Sequence, residues 1–138
     1  MHLVSYMFIM RQQTILILST LFLGCLLRFL PHPPNMTPVI AMGVLSVAFF
    51  DKRWAQLGLP LILMIITDAF IGFHRLIPFV YGGILLSSLT GYFLKSNSRF
   101  SGILGTGLLS SCIFFIISNF GVWLMSTSYP KTTEGIIL

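Results

Sequence analysis

Arg28, Asp68, Tyr81 and Asn119 are hydrophilic side chains set inside long apolar runs. In a chain of this kind they are the residues able to do chemistry. A charge held well inside a membrane span costs roughly 3 kcal/mol even on lenient insertion scales, so it needs a counter-charge, a polar cavity or a route to the headgroups. At ~1.5 Å per helical residue, span starts at Thr14, Trp54 and Ile103 put Arg28 and Asp68 about 21 Å, and Asn119 about 24 Å, from one membrane face. Tyr81 lies on a span running the other way from Leu76, about 8 Å below the opposite face. In a core of ~30 Å these are one level. Arg28 and Asp68, opposite in sign at that level, point to an ion pair inside the bundle. The plainer alternative is that Arg28 snorkels to the headgroups and Asp68 caps the end of its helix. His32, Asn35, Thr37, His74, Trp123 and Tyr129 flank the same level in loops and span ends. Together these side chains could form an outward-facing cup that offers hydrogen bonds and aromatic faces to a small polar or aromatic solute. Simpler roles compete: Tyr81, Trp123 and Tyr129 as interfacial anchors, and Asn119 in an interhelical hydrogen bond worth ~0.6 kcal/mol. His32 and His74 lie in separate loops with no third ligand in sequence, so no metal site is expected.

The elements that must hold these residues are membrane helices. The 138 residues are 56% hydrophobic and 8% charged, with a mean hydropathy of +0.95; a soluble domain carries about a quarter charged residues. A span needs roughly 20 apolar residues, and the runs predict five, near 14–30, 36–50, 54–73, 76–94 and 103–125. The second is brief, at most ~22 Å from Met36, and Pro31, Pro33 and Pro34 separate it from the first. The prediction is an all-α integral membrane protein, a bundle of about five transmembrane helices, with residues 1–13 a cytoplasmic N-terminal segment and 126–138 a tail. Strands of a transmembrane barrel would alternate in polarity over ~10 residues, which these runs do not. Arg11 with the run ending at Cys25 faintly resembles a lipoprotein signal, but Leu26 and Leu27 continue the apolar stretch, so an uncleaved span is expected. With the N-terminus inside, Arg11, Lys52, Arg53, Lys95 and Arg99 lie on the inner face and Arg28, Arg75 and Lys131 on the outer. That balance favours N-inside.

Several functions are excluded or left without support. The basic residues punctuate apolar runs instead of clustering, so nucleic-acid binding is not expected. The two cysteines, Cys25 and Cys112, lie inside apolar runs with no ligand spacing and are expected to be small core residues. No phosphate loop is present, and no nucleophile with a base at useful spacing, so neither ATP hydrolysis nor other catalysis is expected of this chain. No cofactor is implied. Gly83, Ser87 and Gly91 recur every four residues on the fourth span, and Gly102, Thr106 and Ser110 on the fifth. Small residues at this spacing let helix backbones approach closely. They would pack these two spans on each other or present a face to a separate membrane subunit.

The stretches Leu30–Val39, Thr67–His74 and Ser118–Leu124, with Tyr129-Pro130, resemble a family of uncharacterised bacterial inner-membrane proteins. That family looks related to the substrate-binding S components of energy-coupling-factor vitamin transporters. The resemblance covers about Gly24 to Glu134. It implies six helices, a ligand pocket opening outward, and energisation by a separate transmembrane coupling subunit with ATPases. This chain stops at Leu138, which leads to the expectation of a truncated copy of the six-helix fold. It also lacks the paired alanines by which S components dock their partner, with Thr20 and Gly24 as a loose substitute. The function expected is a substrate-binding or permease-like subunit for a small hydrophilic nutrient in the bacterial cytoplasmic membrane. Its site would comprise Arg28, His32, Asn35, Asp68, His74, Tyr81, Asn119 and Trp123. The alternative is a small non-catalytic accessory subunit of a larger membrane complex.

Overall fold

The structure is a computed structural model. It describes residues 2–30, 38–97, 99–132 and 135, with the backbone alone for residues 2–10, 13 and 17. Among the described residues the chain is all-helical: α1 (His2–Phe29), α2 (Val39–Phe49), α3 (Arg53–Ile71), α4 (Ile77–Ser88), α5 (Gly91–Ser96) and α6 (Phe100–Met125). Backbone groups with no water to bond must be satisfied within their own segment, and helices do this. All five apolar runs are helical, and three rods are long and apolar enough to cross a membrane: Arg53–Ile71, Ile77–Ser96 and Phe100–Met125. The helix that carries the first run extends further back, since α1 starts at His2. The polar residues Arg11, Gln12 and Gln13 continue its helix.

The brief second run is the most enclosed element. α2 has 11 residues, ~16 Å of helix, shorter than a typical span. Val39, Val44, Ser46, Val47 and Ala48 are buried. An apolar helix of about 10–14 residues is typically a buried core helix. α2 packs against α3, α4 and α5. Small residues make the crossings possible: Gly43 faces Ser88 and Pro60, and Gly91 lies on the Val44 carbonyl, with a Cβ there falling 3.1 Å from the Ala48 nitrogen. Ser46, Thr67 and Ser88 donate to carbonyls of their own helices at 2.6–2.9 Å, so their hydroxyls enter the core satisfied.

The fourth run is a single rod with one tightened turn. Thr90 N–H donates to Ser87 O (3.1 Å) and Phe93 N–H to Thr90 O (2.9 Å), three-residue spacings that wind the helix more tightly. The Thr90 hydroxyl also donates to Ser87 O at 2.7 Å. α3 ends at Gly72, whose φ of +113° suits glycine alone, and the chain then turns back through residues 73–76. At the opposite end, Gln56 Nε2 donates to Phe50 O (2.6 Å) and Tyr92 Oη donates to Gln56 Oε1 (3.0 Å), tying the start of α3 to α5.

The small-residue stripes divide among three partners. Gly83 packs on Phe114 and Ile117 of α6, Ser87 Oγ donates to Ser110 O at 2.9 Å, and Thr106 is buried. Gly91, however, packs on α2, and Gly102 on Asn97 in the α5–α6 connection. Each lies beyond the stretch where α4 and α6 touch. Cys25 is half-buried beside the core, whereas Cys112, expected inside, is exposed on the face of α6 turned away from α4.

Gly91→Leu should lower the unfolding temperature in detergent, because overpacking against backbone costs about 1–3 kcal/mol. Gly82→Ala, at a position with open space around it, should be neutral or stabilising by about 0.5–1 kcal/mol. Equal melting of the two variants would contradict the α2–α5 crossing.

Candidate functional site

Near the ends of α1 and α3 and the beginning of α4, three of the expected residues meet. Arg28 Nη2 donates to Asp68 Oδ1 in an ion pair, and Nη1 donates to the Met64 thioether. Tyr81 Oη donates to Asp68 Oδ2 at 2.8 Å. The Asp68 side chain is 1% exposed and that of Arg28 14%. Met64 and Asp68 are one turn apart and share a face of α3. α1 reaches that face because Gly24, one turn before Arg28, lies directly on Leu63 and Met42. One residue on, Phe29 meets Phe70 edge-on with ring centroids 6.1 Å apart. Arg28 is therefore paired inside the chain instead of snorkelling. The Asp68 side chain accepts from α1 and α4, while the bond that closes α3 runs from Gly72 N–H to the Asp68 backbone carbonyl at 2.8 Å.

The remaining expected residues do not join them. Asn119 is exposed and donates to Phe115 O on its own helix at 2.8 Å. α6 meets the bundle through Thr106, Ser110, Phe114 and Gly121, with Ile117 beside Gly83. Asn119 is two residues from both Ile117 and Gly121, about 200° around the helix, so depth alone could not bring it to Asp68. His74 is exposed in the α3–α4 connection. Trp123 Nε1 donates to Pro130 O at 2.9 Å, and the Lys131 ammonium lies 5.1 Å over its ring. Lys131 also donates to the Trp123, Leu124 and Ser126 carbonyls at the end of α6. Trp123 thus anchors the tail, and Tyr129 is exposed beside it. His32, Asn35 and Thr37 lie outside the described residues.

Met64 was not singled out from the sequence, although its place four residues before Asp68 on a helix was there to be read. Thr20, the proposed docking residue, donates to Leu16 O at 2.7 Å. It lines a cavity of about 420 Å³ between α1 and α2 with Leu16, Met42, Leu45 and Phe49. Gly24 is spent on the α1–α3 contact and offers no docking surface. Among the described residues, no three His, Cys, Asp or Glu side chains gather as a metal site would require.

Residues 8–138 match a family described as being of unknown function, DUF6580. The chain belongs to that family. Neither a curated protein nor a solved structure matches it. Membership therefore assigns the chain no activity, and the chemistry of the cluster has to be read from its own residues. That chemistry is a carboxylate with both oxygens engaged, facing a guanidinium and a phenol in apolar surroundings. Such a cluster can hold charge, accept a polar group or link helices.

Asp68→Ala leaves Arg28 uncompensated and should cost about 3–5 kcal/mol. Asp68→Ala combined with Arg28→Met should recover part of that loss, and Tyr81→Phe should cost about 1.5 kcal/mol. Thermal unfolding of the purified variants reads all three; additive losses in the double variant would disprove the coupling.

Proposed function

We propose that this membrane protein is a substrate-binding or permease-like subunit for a small hydrophilic nutrient, acting at the Arg28–Asp68–Tyr81 cluster and performing no catalysis of its own. The observation that carries this is a buried carboxylate, Asp68, held by a part-buried guanidinium and a part-buried phenol within an apolar helical bundle. Intramembrane ionisable residues are costly and mark substrate or ion sites. The topology that goes with it has five spans, an N-terminus on the cytoplasmic side and residence in the bacterial cytoplasmic membrane. Lys52, Arg53, Lys95 and Arg99 lie at the bundle end opposite the cluster, where Lys95 and Asp51 pair across two connections at 3.5 Å. Positive charge favours the cytoplasmic side, and in this reading the cluster sits beneath the outer rim. The resemblance to S components supplies the energetics: a separate transmembrane coupling subunit with ATPases.

A non-catalytic accessory subunit is the second reading, and α6 favours it. The 26 residues of α6 bury little more than the stripe Thr106, Ser110, Phe114 and Gly121, leaving Leu108, Phe115, Ile116 and the small residues Gly105 and Gly107 outward.

Purified protein should retain a small polar molecule, detectable by native mass spectrometry, or be stabilised by several degrees by one member of a nutrient panel. Asp68→Asn should lose that response. Stoichiometric co-purification with a larger complex and no response to any solute would favour the accessory role.

A further inference from the structure

Arg28 is rich in donors and poor in acceptors. A guanidinium carries five N–H donors in a fixed fork and accepts nothing. Among the described residues it reaches one strong acceptor, Asp68 Oδ1, and one weak one, the Met64 sulfur. Among the described residues its Nε is buried with no hydrogen-bond partner. Asp68 is in the opposite condition, with one oxygen taken by Arg28 and the other by Tyr81. A buried charged donor left unpaired is destabilising, so among the described residues the cluster is short of an acceptor and not of a donor.

Charge narrows the acceptor's chemistry. At this end of the bundle the described residues include three cations, Arg28, Arg75 and Lys131, and one carboxylate, Asp68. Excess positive charge beside a planar fork favours carboxylate or phosphate oxygens over neutral carbonyls. Access is short, since Arg28 is one residue from the end of α1 and keeps 14% of its side chain exposed. We propose that Arg28 receives a small oxyanion, a carboxylate or a phosphate, with Nε donating to one of its oxygens. This rests on the substrate-binding role above and names the substrate class. The same chemistry is offered by two sources, a soluble anion and a phospholipid headgroup.

The test uses the full chain in maltoside micelles. Thermal unfolding is followed with succinate, with inorganic phosphate and with added dioleoylphosphatidylglycerol, each against sodium chloride at matched ionic strength and against a panel of neutral nutrients. A saturable rise of about 5 °C with succinate or phosphate, absent in Arg28→Lys, supports the soluble source; Lys keeps the charge but loses the fork. The same rise with the lipid alone assigns the oxyanion to a headgroup. No rise beyond chloride, or an equal rise in Arg28→Lys, overturns the proposal. A response to neutral nutrients alone overturns it while leaving the substrate-binding role standing; silence from every probe removes both. Should Arg28→Lys fail to fold, the exposed Arg11, Arg53, Arg75 and Arg99 are replaced by Lys instead. The remaining arginine Nε–H signal in NMR then belongs to Arg28. It should move with anion concentration, and a stationary signal overturns the proposal.

Discussion

A guanidinium among hydrocarbon side chains must find its opposite charge, and the placing of α1 follows from where Arg28 finds it. Ile15, Leu16, Leu18 and Phe22 leave most of the middle of α1 exposed, so the helix has little packing of its own to fix it. What fixes it is concentrated at one end: Gly24 against Leu63, Arg28 on Asp68 and Met64, and Phe29 against Phe70. Replacing a buried ion pair by apolar residues is often neutral for stability, and its best-attested use is to specify a single arrangement. Here the arrangement specified is the rotation and depth of α1 against α3.

The remainder of the bundle is organised around α2, a helix shorter than a typical span with six of its 11 residues buried. It is accommodated by absence of side chain. Gly43 admits Ser88, and Gly91 admits the α2 backbone. Ser46, Thr67 and Ser88 enter that core bonded to carbonyls of their own helices, which leaves these hydroxyls satisfied. Polar ties that cross between elements sit at the two ends, Gln56 with Tyr92 at one and Arg28, Asp68 and Tyr81 at the other, and between them Ser87 joins α4 to α6 at the Ser110 carbonyl.

Much of this was legible in the sequence. Long apolar runs carry their own evidence, because the bilayer dictates length and backbone satisfaction dictates helix. The Arg28–Asp68 pairing was also accessible, since two charges at one depth have few ways to coexist. Asn119 shows where such inference stops: depth follows from counting residues, but azimuth requires knowing which face of α6 meets the bundle. That face is set by Thr106, Ser110, Phe114 and Gly121, and half a turn separates it from the asparagine. The division of the glycine stripes was hidden for a related reason. Four-residue spacing announces a close approach without naming the neighbour, and Gly91 turned to α2. Trp123, read as part of a cup, is claimed instead by Pro130 and Lys131, a tail contact that no helical periodicity reports.

The separation of 40 positions between Arg28 and Asp68 also bears on synthesis. Arg28 leaves the ribosome well before its counter-ion, and during that interval the first hydrophobic segment carries a bare cation near its far end. Lateral release into lipid at that moment is disfavoured. That cost is offset only once α3 brings Asp68 to the same level, so the third segment completes the charge balance of the first.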